Sequence, residues 1–382
     1  MSYPSVDKLQ ASLANTVFAH TKDRKKAAGR ALGTLVEIIT YYTLRAWGFR
    51  DSTAIERRLE EYKNPIVTHN VEYSLHPILA ETEIISAESK LPISISRLKQ
   101  LIPDEIACEA DIYGKSVQLY SSKHTLRNSC LLSANPDGTS LVANLDSWRE
   151  DEIRVTVSRL HPQPYAIFEC KRVGVEEGMK KGPQTIEKAK QGAYVARSVS
   201  ALQKIRLADG TLGGLIHRPD GTTRIDYHPK LLAEIVASDD PDLLKQFALT
   251  VGVVSNHGNW FTSTNRNKEL EVLADSYDRL LFLTDRGLSD FISELLLEPE
   301  PLLEPARDAF LRSYTADKGK NCFTKVQMDS HADRVLQGYF TKNHQRIQEW
   351  FNVISPRGGT LEGLNEQLSS LHSKPWNRIH QP

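Results

Sequence analysis

The chain has 382 residues, 40% hydrophobic and 25% charged, the balance of a soluble globular protein long enough for two or three packing units. Its 48 basic and 48 acidic side chains cancel, so no global field draws it onto a polyanion and any nucleic-acid contact has to be local. Cys108, Cys130, Cys170 and Cys322 share no CxxC spacing, MSYPSVDKLQ has no signal-peptide pattern, and no run reaches the roughly 18 apolar residues of a membrane span, so disulfide scaffolds, zinc ribbons, secretion and membrane insertion are not expected.

From Lys25 to Trp47, Leu32, Leu35, Ile39 and Tyr42 recur at helical spacing and Gly48 closes the helix, with Glu37 expected on its solvent face. Pro65, Pro77, Pro92 and Pro103 mark a loop-rich region in which AIERRLEEYK reads as helix-like. IACEADIYGKSVQLYSS reads as a strand pair hinged at Gly114, and LRNSCLLSANPDGTSLVANL as an inserted hairpin turning at Pro136-Asp137-Gly138. EIRVTVSRL and YAIFECK are expected to face each other across HPQP as antiparallel strands. A long helix starts near Pro183 and runs to about Ile205, with Ala189, Ala193 and Ala196 small enough to lie close on a sheet.

Pro219 to Gly221 forms another hairpin turn. FALTVGVVS (247–255) and DRLLFLTD (278–285) are short, continuous and apolar, the pattern of buried strands, and LSDFISELL follows as a helix. Beyond the acidic EPEPLLEPARD (298–308) the patterns are mostly helical. The expected architecture is α/β, a mixed central β-sheet flanked by helices over residues 1–298 with inserted hairpins, followed by a mainly helical C-terminal segment over 299–382.

Chemistry concentrates in YAIFECKRVG (165–174). Alternation puts Glu169 and Lys171 on one strand face with Ile167, and Ala166, Phe168 and Cys170 on the other. A carboxylate and an ammonium therefore share one small volume. The following RVGVEEGMKKGPQ offers glycines for close backbone approach and Lys180 and Lys181 for phosphates, and Gln184, Lys188 and Gln191 share roughly one face of the next helix. Glu61-Tyr62-Lys63 and Glu88-Ser89-Lys90 repeat the triplet without a strand before it and a glycine loop and helix after it. Literal Pro-Asp pairs discriminate nothing, since they begin at 103, 136, 219 and 241.

No GxxxxGK[ST] loop is present, His228-Pro229-Lys230 and His372-Ser373-Lys374 lack a following aspartate, and SNHGNW has no cysteine partners for a metal finger. Asn256, Asn259, Asn265, Arg266 and Asn267 carry groups that match adenine and guanine edges in the major groove.

Strand, Glu169-Cys170-Lys171, glycine loop and helix together resemble the PD-(D/E)XK nuclease superfamily, and within it the type II restriction endonucleases, over roughly residues 25 to 285. RecB-like members place a tyrosine four residues after the helix glutamine; here Tyr194 follows Gln191 by three. The resemblance implies a restriction-endonuclease-like core and Mg²⁺-dependent, site-specific cleavage of double-stranded DNA to 5′-phosphate and 3′-hydroxyl ends. It also implies a cytoplasmic homodimer with no membrane association and a cognate DNA methyltransferase as functional partner. Glu169, an upstream acid and the carbonyl of Cys170 would hold the metal, Lys171 would orient or deprotonate the attacking water, and Lys180, Lys181, Lys188 and Gln191 would contact DNA.

For the upstream acid, a turn centred between Pro162 and Gln163 would set Thr156 opposite Glu169 and leave Asp151 roughly 16 Å out of register at ~3.3 Å per residue, with Asp146 farther. Asp111, sharing a strand face with Glu109, is therefore the expected catalytic and metal-binding acid, with Asp151 in reserve. The same fold also accommodates a repair or mobile-element nuclease with little sequence preference, or a DNA-binding protein without the chemistry.

Overall fold

In a computed structural model of the chain, residues 6–61, 64–104, 106, 117–172, 192–218, 220–255, 268–314 and 321–380 are described. Strands are numbered along the chain. Helix α1 (Val6–Asn15) leads into α2 (Arg24–Ala46), whose first turn is capped by the Asp23 carboxylate accepting from the Lys26 N–H. Gly48, at φ +91°, ends α2 and donates its N–H to the Arg45 carbonyl. The expected stripe Leu32, Leu35, Ile39 and Tyr42 is fully buried.

The region expected to be loop-rich instead forms β1 (Thr53–Glu61), β2 (Asn64–Leu75) and β3 (Ile78–Ser86). AIERRLEEYK is strand rather than helix up to Glu61. Glu56, Arg58 and Glu60 alternate as its exposed positions while Ala54 and Leu59 are buried, and Pro65 and Pro77 fall at strand ends, where no ladder donor is lost.

A six-stranded mixed sheet runs β1-β2-β10-β14-β15-β17, with β10 (Ala166–Arg172), β14 (Leu249–Ser255) and β15 (Arg279–Leu283) parallel. β2 and β17 (Phe351–Ser355) lie antiparallel to their neighbours on either side of that parallel block. Every residue of β14 and β15 is buried, as expected of strands covered on both faces. Helix α2 and the C-terminal helices cover one face over Phe168, Cys170, Val251 and Leu281. Ala193, Ala196, Leu270 and Leu273 cover the other over Ile167, Val254 and Phe282.

A second sheet, β3-β9-β8-β7, contains the hairpin of β7 (Cys130–Ala134) and β8 (Ser140–Trp148), which turns at Gly138, φ +83°, where the sequence places it. Here β9 (Ile153–Leu160) pairs with β3 and β8, whereas β10 pairs with β2 and β14, so the expected pairing across HPQP does not form. The reason lies in the flanking donors. The His161 N–H bonds to the Pro77 carbonyl and the Tyr165 N–H to the Leu75 carbonyl, so the segment carries the chain from one sheet to the other along the β2–β3 corner.

Two smaller sheets complete the strand set. One holds β4 (Ile93–Ser94), β5 (Gln118–Tyr120), β6 (Thr125–Arg127) and β16 (Gln327–Asp329); of the strand pair expected around Gly114, residues 107–116 lie outside the described residues. The other holds β11 (Leu202–Arg206), β12 (Leu212–His217) and β13 (Thr223–Tyr227), the last two joined at Gly221. The long helix expected from Pro183 is helical over 192–199 and stops before β11, which contains Ile205; 183–191 lie outside the described residues.

Segment 299–382 is mainly helical, and it also supplies β17 at the sheet edge, while Leu336, Phe340, Leu364 and Leu371 share one buried cluster with Leu35 and Ile39 of α2. Among the described residues, no helix is long and apolar enough to cross a membrane.

Gly252 sits in register with Glu169, and a Cβ there would meet the buried Tyr277 ring at 2.7 Å. Overpacking of this kind costs about 1–3 kcal/mol, so Gly252→Ala is expected to lower the urea midpoint correspondingly. Gly33→Ala, inside α2 with nothing within 4 Å of the new methyl, is expected to raise it.

Candidate functional site

Strand β10 divides its side chains as the alternation requires. Phe168 and Cys170 enter the α2 side of the core, where the Cys170 thiol donates to the Thr40 hydroxyl at 3.5 Å and burial pushes its pKa up. Glu169 and Lys171 point to the other side, toward helix 192–199. Glu169 is 3% exposed, its Oε2 lies 3.1 Å from Lys171 Nζ, and among the described residues its Oε1 has no hydrogen-bond partner. Lys171 keeps 31% of its side chain exposed, so the pair is a buried carboxylate with a cationic lid open to solvent.

Two glycines make room around that pair. Gly192 has no Cβ to strike the Tyr277 hydroxyl at 2.7 Å, Lys171 Cε at 3.4 Å or Glu169 Cβ at 3.5 Å, so the helix start lies directly on the ion pair. Gly252 lets the Tyr277 ring lie flat against β14 beside Glu169. Tyr277 is 1% exposed, and its phenol is held well above the ordinary range by burial and then by the negative charge of Glu169. Burial also raises the Glu169 carboxyl pKa, against the charge and hydrogen bond of Lys171 and the charge of His69, which lower it.

Strand β2 brings further groups to this end of the sheet. His69 Nε2 lies 2.7 Å from Glu61 Oε1, the Tyr194 hydroxyl donates to the same oxygen at 2.9 Å, and the two rings meet edge to face at 5.5 Å. These hydrogen bonds lower the Glu61 pKa. One residue beyond the last paired couple, Phe168 with Tyr73, stand Glu169 and Glu72 on adjacent strands. Glu72, Glu37 of α2 and Glu56 of β1 converge on Lys325 Nζ, at 3.4 Å for Glu37 and 3.1 Å for Glu56, with Glu72 the tightest partner. Lys325 is 7% exposed, and Glu56 reaches it from a left-handed backbone position, φ +52°. Burial raises the Glu37 pKa, and both Lys325 and Lys171 pull it down, so Lys171 acts electrostatically on Glu169 and on the acid nest together.

The sequence-derived residues divide accordingly. Glu169, Cys170 and Lys171 lie where the strand reading puts them. Asp111, Glu109, Lys180, Lys181, Gln184, Lys188, Gln191, Asn256, Asn259, Asn265, Arg266 and Asn267 lie outside the described residues. Asp146 sits on β8 and is engaged by Arg50 at 2.5 Å and the Thr156 hydroxyl at 2.9 Å, and Asp151 is exposed in the turn that follows. The register that ranked these acids against Asp111 is void, because β9 and β10 do not pair. Glu37 is not on a solvent face, and Glu61 is a hydrogen-bonded strand residue rather than free surface charge. Glu72 and His69 were missed, and Glu37 and Tyr194 were named without a place in the site; reading THNVEYSL as a strand would have brought Glu72 and His69 into the sheet, three residues apart.

Among the described residues, no three carboxylate, imidazole or thiolate groups converge as a protein-only metal shell requires. No family model matches the chain, no curated protein matches it, and no solved structure matches it.

The raised pKa fixes the sign of a pH effect. A carboxyl whose folded pKa lies above its unfolded value contributes most stability when neutral, and loses that contribution as pH rises through the folded pKa. Glu169→Gln is therefore expected to match or exceed the wild type in thermal stability at neutral pH and to flatten its decline with pH. Lys171→Met strands the buried carboxylate and is expected to cost about 3 kcal/mol in urea unfolding at neutral pH, less in acid, with Glu169→Gln/Lys171→Met recovering most of the loss.

Proposed function

We propose that this chain is a Mg²⁺-dependent endonuclease of double-stranded DNA with a restriction-endonuclease-like core, cutting site-specifically as a homodimer in partnership with a cognate DNA methyltransferase. The observation that carries the reading is the Glu169–Lys171 pair, 3.1 Å apart on a central strand, with a buried carboxylate oxygen that has no hydrogen-bond partner among the described residues. The order of elements supports it: α2, the β1–β2 hairpin, β10, helix 192–199 and β14 come in the order the resemblance implies, with β3–β9 inserted before β10 and β11–β13 before β14.

The donor set fits a hard divalent cation. Mg²⁺ takes one or two carboxylates and keeps several waters, so it does not need three converging protein ligands. Glu169 offers an oxygen without a hydrogen-bond partner among the described residues, in a place where burial disfavours its charge, and the backbone carbonyl of Cys170 is the neighbouring neutral donor. The ion, when bound, supplies charge neutralisation and lowers the pKa of a coordinated water.

The chain's own residues do the rest. Lys171 presents its ammonium at the open side of the pair, where it orients the attacking water and meets a non-bridging phosphate oxygen. Water attacks phosphorus, the P–O3′ bond breaks, the 3′ oxygen takes up a proton and the phosphate stays on the 5′ end. Gly192 and Tyr277 hold the pair against the helix and exclude water from its inner side. For the second acid, Asp111 stands as the sequence-derived candidate, and Glu72, on the strand beside β10 but held by Lys325, is the alternative that the fold adds.

One observation favours a second reading. Lys325 already neutralises the nest of Glu37, Glu56 and Glu72, as an ammonium would in a DNA-binding protein that keeps the fold and lacks the chemistry.

Digestion of a mapped plasmid with Mg²⁺ separates these possibilities. Discrete fragments support the site-specific enzyme, a continuous smear points to a nuclease with little preference, and intact supercoils leave the binding protein. Lys171→Ala is expected to slow cleavage by about 10² to 10⁴ while DNA affinity, spread over many phosphate contacts, changes by only a few fold. Asp111→Asn is expected to lose cleavage and Glu72→Gln to retain it; the reverse result assigns the second acid to Glu72.

A further inference from the structure

Strand β13 forms one edge of the β11-β12-β13 sheet, and among the described residues no strand pairs with its outer side. Exposed edges are usually blunted, because their unpaired N–H and C=O groups template association. This one is not covered: Ile225 and Tyr227 are 54% and 53% exposed.

The hydrogen-bond phase of the edge follows from its hairpin. At the turn, the Arg218 N–H donates to the Thr222 carbonyl and the Gly221 N–H to the Arg218 carbonyl. Antiparallel pairs alternate, so Arg224 and Asp226 direct their backbone groups to Ile216 and Gly214 of β12, while Ile225, opposite Leu215, turns its own N–H and C=O outward. The Tyr227 N–H is already taken by the Asp226 carboxylate at 2.8 Å, which leaves Ile225 as the centre of the available edge.

The side chains around that centre are self-complementary. In Thr223-Arg224-Ile225-Asp226-Tyr227, a two-fold axis through Ile225 sets Ile225 against itself, Arg224 against Asp226 of a second copy, and Thr223 against Tyr227. Ile225 then forms the hydrogen-bonded pair, and the Arg–Asp pairs on either side are the non-hydrogen-bonded ones, where side chains stand closest. Parallel pairing in register would oppose Arg224 to Arg224 and Asp226 to Asp226. The charge pattern therefore selects the antiparallel arrangement of two identical strands and penalises the parallel one. Within one chain the same face already carries Glu234, Arg224, Asp226 and Lys230 as a linked row, with Arg224 on both Glu234 oxygens and Lys230 2.8 Å from Asp226. Two such rows meet at the axis with opposite signs adjacent.

We infer that β13 is a self-association strand, through which two copies of this chain pair antiparallel about Ile225 and join their three-stranded sheets into one six-stranded sheet. The inference gives the homodimer of the proposed function a surface, but it is argued from the edge strand and not from the nuclease chemistry, and its test does not involve DNA. A five-residue edge offers a small interface, of the class below about 1,200 Å² that associates weakly, so a monomer–dimer equilibrium is expected rather than a permanent dimer.

Sedimentation velocity of the full chain over a dilution series tests it. The wild type is expected to shift from monomer to dimer with concentration. Ile225→Pro, which removes an outward N–H without taking a bond from β12, is expected to stay monomeric with an unchanged circular dichroism spectrum. Ile225→Lys sets two ammonium groups against each other at the axis and should give the same result wherever proline disturbs the fold. Ile225→Cys is expected to crosslink to itself under mild oxidation, since residues facing each other in such a pair have Cα atoms about 5.5 Å apart, within disulfide range, while the wild type and His217→Cys should not. A wild type that stays monomeric throughout, a dimer that survives both Ile225→Pro and Ile225→Lys, or a dimer whose Ile225→Cys form does not crosslink overturns the inference.

Discussion

A carboxylate taken out of water on a central strand constrains everything around it. Glu169 is buried between two β-strands and a helix, and a side chain of that kind stays ionised only if a cation stands beside it. Lys171 supplies the cation from the same strand face, two residues on, which is the closest spacing at which a strand can bring two side chains together on one side. The glycines at 192 and 252 are consequences of that choice. Any larger residue at either place would meet Tyr277, and at 192 it would also crowd the Glu169–Lys171 pair.

The second charged centre binds distant parts of the chain into the same corner. Lys325 comes from the C-terminal segment, yet its partners are on α2, β1 and β2, so the ion cluster ties α2 and the β1–β2 hairpin to a residue more than two hundred positions away. The apolar contacts run the same way, since the C-terminal helices share a buried cluster with α2 and β17 closes the sheet beside β15. The C-terminal segment is therefore part of the scaffold that positions the acids. Its mainly helical sequence pattern conveys the local structure but not this role, because a single lysine with a long reach leaves no periodic trace.

Where the sequence carried a local physical signal, the fold was legible. The α2 stripe, the continuous apolar strands β14 and β15, and the Pro-Asp-Gly turn at Gly138 are fixed by burial period or by a backbone angle only glycine takes easily. The failures have a common physical origin in tertiary pairing. HPQP looks like a hairpin turn, but His161 and Tyr165 find their acceptors at Pro77 and Leu75, and nothing within the segment reveals those partners. The 53–86 region was misread because charged residues and prolines interrupt its apolar ones, so that a period of two is clear only over Val71, Tyr73 and Leu75. That error hid Glu72 and His69, while Glu169 and Lys171 were visible because a strand, a glycine loop and a small-residue helix surround them in order.

The charge balance at the site connects these observations to the proposed chemistry. Glu37, Glu56, Glu72 and Glu169 contribute four carboxylates near one end of the sheet, and Lys171 and Lys325 contribute two ammonium groups. With all six ionised, these groups together carry two net negative charges; burial pushes both Glu37 and Glu169 toward their neutral forms, and at Glu37 the charge of Glu56 adds to it. A polyanion approaching such a corner is repelled, and a chain with equal numbers of basic and acidic residues has no excess positive field to overcome that. A dication matches the deficit in sign and magnitude, and it would convert the corner from one that repels phosphate into one that accepts it. Under the nuclease reading, metal and DNA binding are thus coupled through electrostatics before any chemistry begins, and the resident lysines set how much positive charge the site must recruit.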